Sequence, residues 1–197
     1  MARTQAENYD EVRQEILRKS AALFARKGFP NSSIADIAVA NGTSRGLLYH
    51  YFDSKEGLLR EMLNDHLDMM YAEVRAAASS QADLPTRFHD TIHTMVGINA
   101  RSQDLQVVLL HDLQNLKPSD QKVIVRKQNA ILACVSALIE AYDAGRKTDG
   151  RTLKAYTMMF MGMVNYTYLW YDPDGPVGPT EYADMVVDTC LASLKQK

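Results

Sequence analysis

The sequence is poor in the residues that interrupt helices, form disulfides or build membrane spans. Its 197 residues include only 10 glycines and 6 prolines, and no long segment alternates apolar with polar residues, which favours an all-α fold. The two cysteines are far apart and lack metal-ligand spacing, so we expect free thiols in a reducing cytoplasm. No apolar run approaches 18 residues, and the first residues lack an apolar core. We therefore expect a cytoplasmic protein without a membrane span or signal peptide.

Positive charge is concentrated near the N-terminus, although the net charge is only −2. Residues 1–60 contain nine Lys/Arg and seven Asp/Glu, which leaves +2, whereas residues 61–197 contain 13 and 17, which leaves −4. Because phosphates attract cations, any contact with nucleic acid is expected in the first part of the chain.

Residues 33–56 contain the most informative pattern in the chain. Ser33 and Asp36 have the spacing of a capping box at a helix start, with Asp in the place of the usual Glu, and Asn41-Gly42 can close that helix. Ser44 can then cap a second short helix after a turn of three or four residues. Two short helices joined in this way form a helix-turn-helix, whose second helix can enter the major groove of DNA.

This segment resembles the N-terminal region of the TetR family of transcriptional regulators. A Gly-x-Ser-x-Gly turn at 42–46, a Leu-Tyr-x-x-Phe helix at 48–52 and a Ser-Lys-Glu helix start at 54–56 follow in the family's order. The resemblance implies a three-helix DNA-binding head over residues 1–53, a helical ligand-binding and dimerisation body over 54–197, and no catalytic activity. It implies DNA contacts at Ser33, Thr43, Ser44, Arg45, Gly46, Tyr49, His50, Tyr51 and Lys55.

These residues would have different roles at the DNA. Arg45 can pair with a guanine edge, and Gly46 lets the helix backbone approach the DNA. The hydroxyl of Ser44 can reach a phosphate, and Ser33 and Lys55 would hold the DNA backbone on either side of the groove.

Helical periodicity continues along the rest of the chain and predicts about nine helices. The first is expected at Asn8–Lys27, and the fourth starts at Asp53 or Ser54 and extends past Val74. Later helices are predicted at about 85–100, 104–116, 119–144 (ended by Gly145), 152–171 and 180–194. We expect the last two to hold a homodimer together, because the segment 152–171 is apolar on nearly every face.

The body is expected to bind a small effector through large residues of mixed polarity. The candidates are His66, Met70, His93, Met95, His111, Phe160, Asn165 and Trp170, each of which also fits ordinary core packing. Residues 165–181 resemble the TetR subgroup that responds to acyl-CoA in fatty-acid and steroid breakdown. This resemblance implies an acyl-CoA thioester, whose phosphates would meet Arg101, Arg126 and Lys127. A drug-like apolar ligand, which needs no such cations, is the alternative.

The sequence as a whole therefore predicts a dimeric repressor that binds a palindromic operator in double-stranded DNA and is released by its effector. A second hypothesis is a DNA-binding protein that binds its operator constitutively, without an effector. The alternative hypothesis from a different functional class is a helical, metal-dependent enzyme. His89 and His93 are four residues apart and could share a metal ion, but no third ligand follows at a regular spacing. The neighbours His111 and Asp112 diverge on a helix, so we expect no metal, no cofactor and no catalysis.

Overall fold

The computed structural model describes residues 2–142 and 149–195, and its regular structure there is entirely helical. These residues form nine α-helices: α1 Ala2–Lys27, α2 Ile34–Asn41, α3 Arg45–Tyr51, α4 Lys55–Ala78, α5 Leu84–Arg101, α6 Gln103–His111, α7 Pro118–Tyr142, α8 Gly150–Asn165 and α9 Pro179–Lys195. Two short 3₁₀ helices, Leu113–Asn115 and Tyr166–Leu169, follow α6 and α8. The predicted all-α fold of about nine helices is confirmed. Within the described ranges, every helix is too short or too polar to cross a lipid bilayer.

The chain is divided into two compact units, and it passes between them within α4, after the first residue of α6, and within α7. One unit comprises Met1–His66 and Asp104–Ile124, and the other comprises Leu67–Gln103 and Val125–Lys197. The first unit thus contains, in addition to residues 1–53, the first part of α4 and the segment around α6.

The first unit is built around apolar side chains from its four N-terminal helices. Phe24 of α1 is buried and its ring packs edge-on against Phe29, with 5.1 Å between the ring centroids. The remaining core residues are Ile16, Leu17, Ala21 and Leu23 of α1, Ile37 of α2, Leu48 of α3, and Leu58, Leu59, Met62 and Leu63 of α4. Helix α1 begins at Ala2 rather than at the predicted Asn8, because no proline or glycine interrupts the residues before Asn8.

The second unit packs α5 against α8 and α9. Its core is formed by Phe88, Ile92, Met95 and Val96 of α5, Phe160 and Val164 of α8, and Ala183, Val186 and Val187 of α9. Two hydrogen bonds join these elements: buried Asn99 donates to the Val164 carbonyl at 3.0 Å, and Tyr182 donates to the Met163 carbonyl at 2.7 Å. Satisfied polar contacts of this kind fix which faces of the helices meet.

Two predicted helix ends were wrong. The predicted helix at 104–116 ends at His111 and continues as a 3₁₀ helix. The predicted helix at 152–171 ends at Asn165, where the Val164 carbonyl accepts hydrogen bonds from the side chains of Asn99 and Thr167. These bonds compete with the helical bond that the carbonyl would otherwise accept, and the chain tightens into a 3₁₀ turn. The predicted end of α7 at Ala144, before Gly145, lies outside the described residues.

Candidate nucleic-acid interface and ligand cavity

The first helix of the predicted helix-turn-helix is capped as expected. The Ser33 hydroxyl accepts a hydrogen bond from the Asp36 amide at 3.2 Å, and the Asp36 carboxylate accepts one from the Ser33 amide at 2.8 Å. This reciprocal pair is a complete capping box. The Lys27 ammonium, 2.8 Å from the same carboxylate, and the Ser33 hydroxyl hold the pKa of Asp36 well below its usual range.

The turn between α2 and α3 consists of Gly42, Thr43 and Ser44. Gly42 has φ +63°, a left-handed conformation that favours glycine, and its amide bonds back to the Val39 carbonyl at 3.1 Å. The Thr43 amide bonds to the Ala38 carbonyl at 2.9 Å, which completes a Schellman motif. Ser44 then caps α3 by accepting from the Leu47 amide at 3.1 Å. The three-residue turn confirms the helix-turn-helix.

Helix α3 has a buried side and an exposed side, and the exposed residues include the apolar Leu47. Leu48 is 1% exposed, and Phe52, which follows the helix, is buried as expected. The outward side presents Tyr49, which is 55% exposed. Ser44, Arg45, Gly46 and His50 are also exposed, and Thr43 and Tyr51 are half-buried. The predicted DNA contacts of the turn and of α3 are therefore exposed or partly exposed to solvent.

Lys55 makes contacts within the first unit that the sequence did not indicate. Its ammonium donates to the carbonyls of Phe29 and Ser32, both at 2.9 Å, and lies 4.1 Å from the centre of the Phe29 ring. These bonds tie the start of α4 to the connector between α1 and α2. Two of the three ammonium protons are used in this way, which leaves one for the predicted phosphate contact.

Two residues of α1 that sequence reasoning missed support α3 and α4. The Tyr9 ring lies 4.5 Å from the Tyr51 ring, measured between centroids. Arg13 pairs with Glu61 at 2.8 Å and with Asp65 at 2.7 Å, and these carboxylates raise the pKa of its guanidinium, Asp65 most. Their i, i+4 spacing on α1 places them on one face, but the partners on other helices could not be inferred locally.

The second unit contains a cavity of about 310 Å³ with a predominantly apolar lining. Its walls come from α5, α7, α8 and α9: Phe88, Ile139, Tyr156, Met159, Phe160, Met163, Thr189, Cys190, Ser193 and Leu194. A volume of this size is at the lower end of the range for small-molecule sites. None of these lining residues is Lys or Arg.

Phe160 is the one predicted effector contact that lines this cavity. Met70 and Met95 are buried in the second unit, while Trp170 directly follows the 3₁₀ helix Tyr166–Leu169 and is 63% exposed. His93 lies against Asp184, with 2.8 Å between Nε2 and Oδ1. The roles of these residues in ligand binding stay predictions.

The two remaining histidine candidates, His66 and His111, belong to the first unit. His66 is buried, and loss of solvation lowers its pKa to about 4, so its imidazole is neutral near pH 7. The side chain of His111 is exposed.

The three predicted phosphate-binding cations occupy separate positions on α5 and α7. Lys127 pairs with Asp68 at 2.7 Å, and Arg101 lies 3.9 Å from Glu73. Arg126 is exposed.

Two protein-family models match this chain, one over the helix-turn-helix and one over most of the remaining helices. The family described as "Bacterial regulatory proteins, tetR family" matches residues 16–62, and "Tetracyclin repressor-like, C-terminal domain" matches residues 81–194. The chain belongs to the TetR family of transcriptional regulators. Members of this family are DNA-binding regulators rather than enzymes, which confirms the prediction of a non-catalytic protein.

Individual relatives match nearly the whole chain. The HTH-type transcriptional repressor KstR2 of Mycobacterium tuberculosis H37Rv is 39% identical over 189 residues, which cover 94% of each protein. A TetR-family regulator from Bordetella parapertussis 12822 is 36% identical, with a TM-score of 0.87 over 91% of this chain and 94% of that one. The structure of AibR in complex with isovaleryl coenzyme A and operator DNA shares the fold, with a TM-score of 0.78, 21% identity, and coverage of 90% and 97%.

Proposed function

We propose that the protein is a ligand-responsive repressor that binds a palindromic operator as a homodimer and is released by a small effector. The main support for this proposal is the exposure of helix α3. The helix follows a complete three-residue turn, buries Leu48, and presents Arg45, Tyr49 and His50 to solvent. Such an exposed helix in a helix-turn-helix is suited to the major groove. The name of KstR2 as a repressor supports repression rather than activation. Because the partner is chromosomal DNA, we place the protein in the cytoplasm.

Within the interface, base reading and backbone contact are assigned to different residues. Arg45 is proposed to pair with guanine, and Tyr49 and His50 to contact bases or sugars farther along the groove. Ser33, Thr43, Ser44, Tyr51 and Lys55 are proposed to contact the DNA backbone on either side, with Gly46 at the point of closest approach.

Dimerisation is proposed through α8 and α9. Six of the 13 large apolar side chains exposed in the described part of the chain lie within residues 158–185: Met158, Met159, Tyr166, Leu169, Trp170 and Met185. Such a concentration on neighbouring elements is typical of a surface that is covered by a partner. A two-fold symmetric dimer matches the symmetry of a palindromic operator.

The effector is proposed to place its apolar part in the 310 Å³ cavity. Residues of α8 and α9 form much of the lining, so a ligand there would shift the helices that are proposed to dimerise and change the separation of the recognition helices. The structure of AibR, which shares this fold and was solved with isovaleryl coenzyme A, supports an acyl-CoA thioester with its acyl group inside the cavity. Its phosphates would remain outside, where Arg101, Arg126 and Lys127 are the proposed partners.

The same lining supports an uncharged hydrophobic effector as the second candidate, because none of the lining residues is Lys or Arg. Such a compound would fit wholly within the apolar walls.

Operator selection followed by release assays tests the proposal. Binding sites selected from a random double-stranded DNA pool should be palindromic, and Arg45→Ala and Tyr49→Ala should abolish specific binding while dimerisation and helicity are kept. An acyl-CoA series, free CoA and uncharged hydrophobic compounds are then added to the complex. Release by a CoA thioester but not by free CoA supports the first candidate, and release by uncharged compounds alone supports the second. Wild-type operator affinity in Arg45→Ala would contradict the assigned recognition helix.

A further inference from the structure

Two histidines of α5 lie side by side on the surface of the second unit. His89 and His93 are four residues apart, and their rings stack with 3.9 Å between centroids and 25° between planes. The side chains are 46% and 22% exposed, so both remain accessible to solvent ions. Residues at i and i+4 share one helix face, which allows both imidazoles to bind one metal ion.

Helix α9 supplies the third ligand that the sequence did not reveal. Oδ1 of Asp184 lies 2.8 Å from Nε2 of His93 and 3.5 Å from Nε2 of His89. One ligand atom from each of the three residues lies within 4.8 Å of the other two. We propose that His89, His93 and Asp184 form a site for a divalent transition-metal ion that joins α5 to α9.

The spacing of the donors agrees with such an ion. Zinc bonds of 2.0–2.2 Å in a tetrahedron place neighbouring donors about 3.4 Å apart. The two distances from Asp184 bracket this value, so small side-chain rotations would complete the coordination. Two imidazoles and one carboxylate favour zinc, cobalt, nickel or copper over calcium and magnesium, which prefer oxygen donors.

A fourth residue orients the first histidine. Oδ1 of Asp90 lies 3.0 Å from Nδ1 of His89, on the side of the ring away from its Nε2. A carboxylate that accepts the second ring N–H is the usual partner of a metal-bound histidine, because it fixes the tautomer and leaves the other nitrogen free to bind. The contact with Asp90 does not involve Asp184. It leaves Nε2 of His89, the atom that lies 3.5 Å from Asp184, as the metal ligand.

Binding can be measured on the full-length, tag-free protein after treatment with EDTA and dialysis. Titration calorimetry with Zn²⁺ should give one ion per chain, and Co²⁺ should produce a visible ligand-field spectrum. Zinc at 100 times its Kd should raise the melting temperature by roughly 5 °C or more.

Four variants separate this site from adventitious binding. His93→Ala should abolish stoichiometric binding, Asp184→Asn should weaken it at least tenfold, and Asp90→Asn should weaken it by about 10- to 100-fold. Asp188→Asn is the matched control, because Asp188 is exposed one turn farther along α9 and is not a member of the cluster. It should bind zinc as the wild type does.

Absence of stoichiometric zinc binding by the wild type would overturn the proposal, as would wild-type affinity in both His93→Ala and Asp184→Asn. The nearly isosteric Asp184→Asn change is at a side chain that is 54% exposed, so it keeps the test available even if His93→Ala is unfolded. Melting curves without metal show which variants are folded.

Discussion

Gly46 is the second residue of α3, and the surrounding protein leaves room for a side chain there. A Cβ at this position would meet only the Ser44 hydroxyl oxygen, at 3.8 Å, which is ordinary van der Waals contact. We therefore expect Gly46→Ala to fold normally and to gain up to about 1 kcal/mol in stability, because alanine favours helix. Its operator affinity should fall at least about tenfold, since the methyl group would separate helix and DNA.

Thermal melts and fluorescence anisotropy with the selected operator measure the two effects of Gly46→Ala. Gly42→Ala is the matched control: with φ +63° at Gly42, it should lower the melting temperature. Unchanged operator affinity in Gly46→Ala would contradict close approach at this residue.

Buried His66 should make folding sensitive to mild acid. Its folded pKa of about 4 lies below the ordinary value of 6.5, because burial disfavours the charged ring. Above pH 6.5 the ring is neutral in both states and has no effect. As the pH falls from 6.5 towards 4, only the unfolded state binds the proton, so the free energy of unfolding decreases by about 2 kcal/mol at pH 5.

Denaturant unfolding at pH 7.5 and pH 5 measures this contribution of His66. The His66→Leu variant should lose less stability between the two pH values than the wild type, by about 2 kcal/mol. Equal losses in the two proteins would show that His66 is not the group responsible.

At the scale of helices, local features were predictable from sequence and contacts between distant helices were not. The capping box at Ser33, the left-handed Gly42 and the cap at Ser44 each depend on residues within five positions, so their residue types reveal them. The hydrogen bonds of Lys55 to Phe29 and Ser32 depend on tertiary packing, for which residue spacing gives no indication.

The end of α8 and the cavity also depend on contacts between distant helices, so the sequence did not predict them. The apolar pattern continues beyond Asn165, but side-chain hydrogen bonds to the Val164 carbonyl end the α-helix there. The cavity is a space that four helices leave between them, and it depends on rotamers rather than on a motif. Phe160 was predicted because it is large and apolar, and Met159 and Met163 belong to the same methionine-rich run, 158–163, which is typical of an adaptable pocket as well as of core packing. The lining residues of α9 carry no distinguishing pattern.

The exposed apolar residues of α8, α9 and the intervening 3₁₀ helix should control oligomeric state. We expect the double change Leu169→Glu and Met185→Glu to convert a dimer into a monomer, because two charges on each subunit would be buried without partners. Operator affinity should then fall by at least about tenfold, since each half-site would be bound separately.

Light scattering at micromolar concentration measures the oligomeric state of this double variant. The controls are Met69→Glu and Val125→Glu, which alter exposed apolar residues of α4 and α7 and should leave the dimer intact. A monomeric wild type, or a dimeric double variant, would contradict the proposed interface.

For the whole molecule, filling the cavity should separate DNA binding from effector response. Cys190 is a buried lining residue, and burial raises the pKa of its thiol to about 11, which keeps it protonated. We expect the added ring of Cys190→Phe to fill part of the 310 Å³ without displacing α8 or α9, so operator affinity should be unchanged while effector-induced release weakens at least about tenfold.

Anisotropy titrations of the DNA complex with the releasing compound measure this loss. Cys190→Ser is the control of equal size and should respond as the wild type does. If Cys190→Phe is released as readily as the wild type, the effector binds elsewhere.

Trp170 is the only tryptophan in the sequence, so the intrinsic tryptophan fluorescence of the protein comes from a single residue. Its indole is 63% exposed and directly follows the 3₁₀ helix Tyr166–Leu169, and its centroid lies 5.6 Å from that of Tyr171 and 5.5 Å from that of Tyr182. Excitation absorbed by these tyrosines is transferred efficiently at such distances, so the emission spectrum follows the surroundings of one indole. If subunits associate through the proposed surface, the exposed ring would leave water and its emission would shift to shorter wavelength. Dilution of unlabelled protein would therefore report dissociation of the proposed dimer.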